Sequence, residues 1–207
     1  MKLNFDINQE LDTNLIVVDN FYEDPIGVRN FALSRDTFKF HPQWHKGRRT
    51  EENFRPAQVK NAIEKLLGKK IAGWETNGAN GVFQYCTAED ALVYHVDTQS
   101  YAAVVYLTPD APPESGTTFF RSKINKLREE PSNEVATLLN KNKHQIINEI
   151  FQRGFYDKTQ FEVVDVVGNV FNRLVIWDAK LIHAASEYFG TNAKDSRLFH
   201  MFFFDVD

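Results

Sequence analysis

The apolar positions of this chain fall into two textures. Up to about residue 70 they recur mostly at helical spacing, and beyond it they come in short β-branched and aromatic runs. Leu15-Ile16-Val17-Val18 reads as a short buried strand that Asp19-Asn20 breaks. Asp24-Pro25 offers a cap and a proline in the first turn, and Val28, Phe31, Ala32 and Leu33 follow as a helix. Residues 36–55 are polar and aromatic without a period and read as loop. Residues 56–67 read as a second helix, with Val59, Ile63, Leu66 and Leu67 on one face and Gly68 ending it.

The second texture predicts strands over residues 81–86, 91–96, 101–107, 117–120, 161–167, 170–177 and 198–204. Pro109, Pro112 and Pro113 mark a turn. Residues 121–161 interrupt the strands with a charged helical insert. Its start is Pro131-Ser132, and its apolar face is Val135, Leu138, Leu139, Ile146, Ile147, Ile150 and Phe151. The pattern predicts a single domain, mainly β with flanking helices. Residues 1–70 form a helical N-terminal support, and 71–207 a double-sheet barrel with helices on one face.

Composition narrows the function classes. At 43% hydrophobic residues the chain can bury a sizeable core. A net charge of -4 gives no polybasic surface, so a nucleic-acid partner is not expected. Cys86 is the single cysteine, which excludes an internal disulfide framework and fits a reducing compartment. Met1-Lys2-Leu3-Asn4-Phe5-Asp6 lacks the apolar core of a signal peptide. No run is long enough to span a bilayer. These features predict a soluble cytoplasmic protein without a membrane partner.

His95-Val96-Asp97 carries the chemistry. At the end of a strand, residues two apart face the same way, so one imidazole and one carboxylate point together. Taken alone, the tripeptide is better explained by a structural His–Asp pair. His183, after the buried strand Leu174-Val175-Ile176-Trp177, is the best candidate for a third ligand. Two histidines and one carboxylate on one face of a metal form the facial triad of non-haem iron(II) oxygenases. Arg197 heads the last apolar run, where a buried guanidinium needs a partner. It either pairs with an anionic ligand, snorkels to the surface, or bridges Asp195 or Asp205.

The surroundings of these residues resemble the iron(II)/2-oxoglutarate-dependent dioxygenases, in particular the prolyl-4-hydroxylase-like branch. Tyr106-Leu107-Thr108 and Ser115-Gly116-Thr117-Thr118-Phe119-Phe120 resemble that branch's Tyr-Leu…Gly-Gly-x-Thr-x-Phe stretch, with Ser115 in place of the first glycine. Leu174-Val175-Ile176-Trp177 before His183, Ser196-Arg197-Leu198-Phe199, and Val17-Val18-Asp19-Asn20-Phe21 are similar to further parts in the same order. Residues 36–55 and 121–161 lie outside the match. Arginine at 197, where that branch often has lysine, points to a wider group.

The resemblance implies a jelly-roll, cupin-like barrel (a double-stranded β-helix). His95, Asp97 and His183 would bind iron(II). 2-Oxoglutarate would be co-substrate, its distal carboxylate on Arg197, with Tyr85 and Thr118 as further contacts and ascorbate as auxiliary reductant. Gln84 and Tyr94 are weaker candidates for lining the cavity. Asp97 fills the place a halide would need, so hydroxylation of a small-molecule or peptide substrate is expected. His41 and His45 are loop candidates for touching substrate, and Trp44, His45, Arg48, Arg49 and Trp74 hint at a polar or anionic substrate with a flat part. A homodimer is compatible with the sequence. The alternatives are a barrel of this fold that binds without catalysing, another cupin-type metal enzyme, and an interaction protein acting through the insert.

Overall fold

The structure is a computed structural model that describes residues 13–35, 38–40 and 46–207. The N-terminal segment read above for a signal peptide, and His41, Trp44 and His45, lie outside the described residues.

Local signals fix the two leading helices. Helix α1, Pro25–Leu33, starts where Asp24 accepts the Gly27 amide at 2.8 Å and proline occupies the first turn. Helix α2, Ala57–Leu67, stops at Gly68, whose φ of 68° closes the left-handed cap. Val59, Ile63 and Leu67 are its buried stripe, and Leu66 lies off it, exposed.

The strands are β1 (Leu15–Val18), β2 (Phe38–Phe40), β3 (Arg48–Thr50), β4 (Ile71–Ala72), β5 (Val82–Cys86), β6 (Tyr101–Tyr106), β7 (Thr117–Ser122), β8 (Phe161–Val167), β9 (Leu174–Asp178), β10 (His183–Ala185) and β11 (Arg197–Val206). The large sheet runs β1-β9-β6-β11-β5-β3-β2, with β4 on β11, and the small sheet runs β10-β7-β8. All named pairings are antiparallel.

The large sheet is covered on both faces, which is why β6 is continuously buried. One face, with Phe83, Tyr101, Ala103, Val105, Leu198 and Phe202, packs against Ala32, Val59, Ile63 and Leu67 of the two helices. The other face, with Val82, Cys86, Val104, Tyr106, Val175, Trp177 and Phe199, meets Phe119 of the small sheet across the barrel interior. A third cluster holds the insert helices, α3 (Asn133–Leu138) and α4 (Lys143–Ile150). There Ile146 and Ile150 pack with Tyr94, Phe120, Phe161 and Ile182. The structure thus has the predicted mainly-β, double-sheet architecture.

Three expectations are corrected. The first seventy residues are not only helical support, because β1 pairs β9 and β3 pairs β5 within the large sheet. Residues 36–55 contain β2, at the edge of the large sheet, and β3 beside it, both with too few positions to show a period. Residues 91–96 do not form a regular strand. Their neighbour β10 has three residues, so the ladder reduces to a single bridge between His95 and His183.

Candidate active site

That bridge builds the metal-ligating cluster. His95 N–H donates to His183 O at 3.1 Å and His183 N–H to His95 O at 2.9 Å. Two histidines from distant segments are thereby held with ring centroids 4.4 Å apart. Asp97 is placed by its amide, which donates to Ala179 O at 2.8 Å. Lys180 Nζ adds contacts to the carbonyls of Asp97 (3.2 Å) and Thr98 (2.9 Å). One ligand atom from each of His95, Asp97 and His183 lies within 4.8 Å of the others.

Backbone carbonyls set the tautomers. His95 Nδ1 lies 2.9 Å from Val93 O, and His183 Nδ1 lies 2.8 Å from Leu181 O. A carbonyl only accepts, so the ring proton sits on Nδ1 and each Nε2 presents a bare lone pair. Those atoms lie 3.6 Å and 3.3 Å from the Asp97 carboxylate oxygens. Asp97 Oδ2 is buried without a hydrogen-bond partner. Three converging lone-pair donors in a partly desolvated site leave a deficit that a cation fills. The donor set of two imidazoles and one carboxylate fits iron(II).

The electrostatics agree. Burial pushes His95 down to about 4, so its ring stays available as a neutral ligand. The Asp97 carboxyl is held below its ordinary value in spite of its burial, so it is a charged ligand at neutral pH. Trp177 lies edge-on to His183 at 5.1 Å, its indole N–H buried without a partner.

Arg197 opens β11 directly opposite Cys86 of β5 and is 4% exposed. Its Nε donates to Ser115 O at 2.8 Å, and Nη2 lies 3.1 Å from Gly116 O and 3.4 Å from Thr117 Oγ1. The rings of Phe199, Tyr106 and Tyr188 stand 4.6, 5.2 and 5.9 Å from its guanidinium carbon. Among the described residues no carboxylate pairs with it. Asp195 is held by the amides of Thr191 and Asn192, and Asp205 by Ser100. Nη1 takes no partner either, so this buried cation is built to receive an anion.

Tyr85 and Thr118 are not brought to this place. Strand alternation sends Gln84 and Cys86 inward and Tyr85 outward, where it meets Phe38 at 5.1 Å and Arg48 at 5.8 Å. Thr118 bonds Ser186 at 2.6 Å, and Thr117, one residue earlier, faces Arg197 and Tyr106. Both expectations were out of phase by one residue, because the motif order does not fix which face of a strand looks inward. Tyr94 packs with Phe120 and Phe161 under the insert, away from the barrel interior. Tyr106, Thr117 and Tyr188 are the polar neighbours of Arg197 that sequence reasoning missed. The inward phase of β6, set by buried Ala102 and Val104, is the signal that points to Tyr106. A cleft of about 660 Å³ lies on the opposite, helix-covered face of the large sheet, lined by Tyr22, Phe31, Phe54, Phe83 and His200.

The chain has a double-stranded β-helix fold, one that iron(II)/2-oxoglutarate oxygenases also have. It resembles HygX from Streptomyces hygroscopicus, solved with nickel, 2-oxoglutarate and hygromycin B bound, at 14% identity and a TM-score of 0.54. The likeness covers 94% of this chain and 83% of that one. It also resembles the Trichoplax adhaerens prolyl hydroxylase in complex with a hypoxia inducible factor peptide, at 11% identity and a TM-score of 0.51. That match covers 93% and 84%. At such identities the likeness is one of fold. No curated protein matches the sequence. By sequence the chain belongs to the Family of unknown function (DUF6445), which it matches over residues 2–198.

Proposed function

We propose that this protein is an iron(II)- and 2-oxoglutarate-dependent oxygenase that hydroxylates an unactivated C–H bond of a small-molecule or peptide substrate in the cytoplasm. The observation that carries the reading is the meeting of two bare Nε2 atoms with an unpartnered Asp97 oxygen, in one barrel with a buried, unpaired Arg197.

His95 Nε2, Asp97 and His183 Nε2 would hold the metal on one face and leave the remaining positions open. When bound, iron(II) supplies dioxygen activation, and 2-oxoglutarate supplies two electrons as it decarboxylates to succinate. Val93 O and Leu181 O keep the imidazoles in the ligating tautomer throughout. Arg197 would pair with the distal carboxylate through Nη1. Ser115 O, Gly116 O and Thr117 Oγ1 hold the rest of the fork still. Phe119 and Trp177, packed against His183, exclude water from the inner side. Asp97 occupies the position a halide would need, so hydroxylation follows. Ascorbate would serve as auxiliary reductant.

The test is anaerobic calorimetry with manganese(II), then aerobic succinate release with iron(II), 2-oxoglutarate and ascorbate. The wild type binds the metal and releases succinate. Asp97→Ala loses metal affinity by roughly tenfold or more, about 1.4 kcal/mol. Unchanged metal affinity in that variant would sink the ligand assignment.

A further inference from the structure

A second guanidinium stands on the metal side of the barrel. Arg49 of β3 lies directly opposite Gln84 of β5, so the two side chains share the inward face with Cys86 and, across β11, Arg197. Arg49 Nε donates to Gln84 Oε1 at 2.5 Å. Gln84 is itself fixed, its Nε2 donating to Lys46 O at 2.9 Å and lying 3.3 Å from Cys86 Sγ. This is a braced arginine with a set orientation. Among the described residues no carboxylate pairs with it, and its two terminal nitrogens have no hydrogen-bond partner. In the loop after β5, Glu89 is exposed and Asp90 is occupied by the Thr87 amide and hydroxyl.

Arg49 faces the barrel interior that the metal ligands share: Cys86, beside Gln84 on that face, clusters with Phe119 and Trp177, whose rings pack against His183. Burial lowers Arg49 itself to about 10, which leaves it charged at neutral pH. Burial pushes the Cys86 thiol and the Tyr188 phenol up into their neutral forms, so neither offers Arg49 a negative partner. With the metal on Asp97 and a dianionic co-substrate shared between the metal and Arg197, no carboxylate among the described residues is left for Arg49. A braced, half-buried cation without a partner is costly unless an anion completes it.

We infer that the substrate carries a carboxylate and that Arg49 pairs with it, placing the substrate's reacting carbon beside the metal face. A monoanion matches the one guanidinium left without a partner, and the planar fork matches a carboxylate's two oxygens. The inference rests on the oxygenase reading above and adds the substrate class to it.

The experiment titrates the protein, loaded anaerobically with manganese(II) and 2-oxoglutarate, with two matched pairs of probes: acetate against acetamide, and benzoate against benzamide. Each pair keeps the shape and removes the charge. In the wild type each carboxylate binds roughly tenfold or more tighter than its amide. Arg49→Gln brings the members of each pair level, and Arg49→Lys, which keeps the charge without the fork, restores part of the difference. The partial rescue separates loss of pairing from loss of fold. Equal or absent binding of carboxylate and amide by the loaded wild type overturns the inference, as does discrimination lost in Arg197→Gln but kept in Arg49→Gln. Failure of the wild type to bind manganese(II) or 2-oxoglutarate strikes the oxygenase reading instead, so the two failures are told apart.

Discussion

Replacing Arg197 by Met tests the co-substrate site most directly. The side chain is 4% exposed, and three of its polar contacts go to Ser115 O, Gly116 O and Thr117 Oγ1, with no carboxylate among them. Methionine fills a similar volume but leaves a bound distal carboxylate buried and unpaired. Truncating one partner of a buried charge pair costs about 2–5 kcal/mol. At tenfold per roughly 1.4 kcal/mol, 2-oxoglutarate affinity falls by roughly 30-fold to a few thousand-fold. The apo protein behaves differently. Two carbonyls lose a donor, at about 1–3 kcal/mol each, and relief of an unpaired buried cation opposes that loss. Apo stability therefore falls less than co-substrate affinity does. Anaerobic calorimetry with manganese(II) and 2-oxoglutarate gives the affinity, and urea unfolding of the apo protein gives the stability. If Arg197→Met binds 2-oxoglutarate within threefold of the wild type while folding normally, the distal carboxylate lies elsewhere and the reasoning fails.

Three further outcomes follow from the geometry. Tyr85→Phe and Thr118→Val leave 2-oxoglutarate affinity within about twofold, and Thr117→Val weakens it, because only Thr117 faces Arg197; the same calorimetry reverses the assignment if the order is inverted. Gly116→Ala destabilises the start of β7, since a Cβ there would stand 1.8 Å from Val167 O, and thermal melting together with 2-oxoglutarate affinity should both drop. Burial holds His200 down to about 4, with its Nε2 donating toward Phe54 O and its Nδ1 accepting from Tyr22. The unfolded chain, titrating near 6.5, therefore takes up the proton first as pH falls. That part of the stability is complete above about pH 6.5 and is lost between about 6.5 and 4, amounting to about 2–3 kcal/mol at pH 4.5. Urea midpoints at pH 7.5 and 4.5 should show a smaller loss in His200→Phe than in the wild type, and an equal loss in both would remove His200 as the cause.

Much of the fold was legible because its signals are local. Asp24-Pro25 and Gly68 mark helix ends through single-residue capping chemistry, and the apolar runs of β6, β9 and β11 are long enough to read. The short strands β2 and β3 were not legible. Three residues carry no period; β3 pairs with β5, more than thirty positions away, and β2 pairs in turn with β3. Residues 91–96 misled for the opposite reason. They have strand composition, but β10 offers them room for one bridge only.

The same division holds at the site. The sequence by itself determined which residues can ligate a metal and their order along the chain, because His95, Asp97, His183 and Arg197 are chemically distinctive at their spacing. Only the tertiary structure decided that the His95–His183 bridge brings the rings together, that Val93 O and Leu181 O bare their Nε2 atoms, and that Asp97 Oδ2 has no partner. It also decided strand phase, turning Tyr85 and Thr118 away and Thr117 and Arg49 inward. Side-chain identity is local information. Which face of a strand meets the metal is set by pairing across the sheets, and the period of two makes an error of one residue reverse the answer.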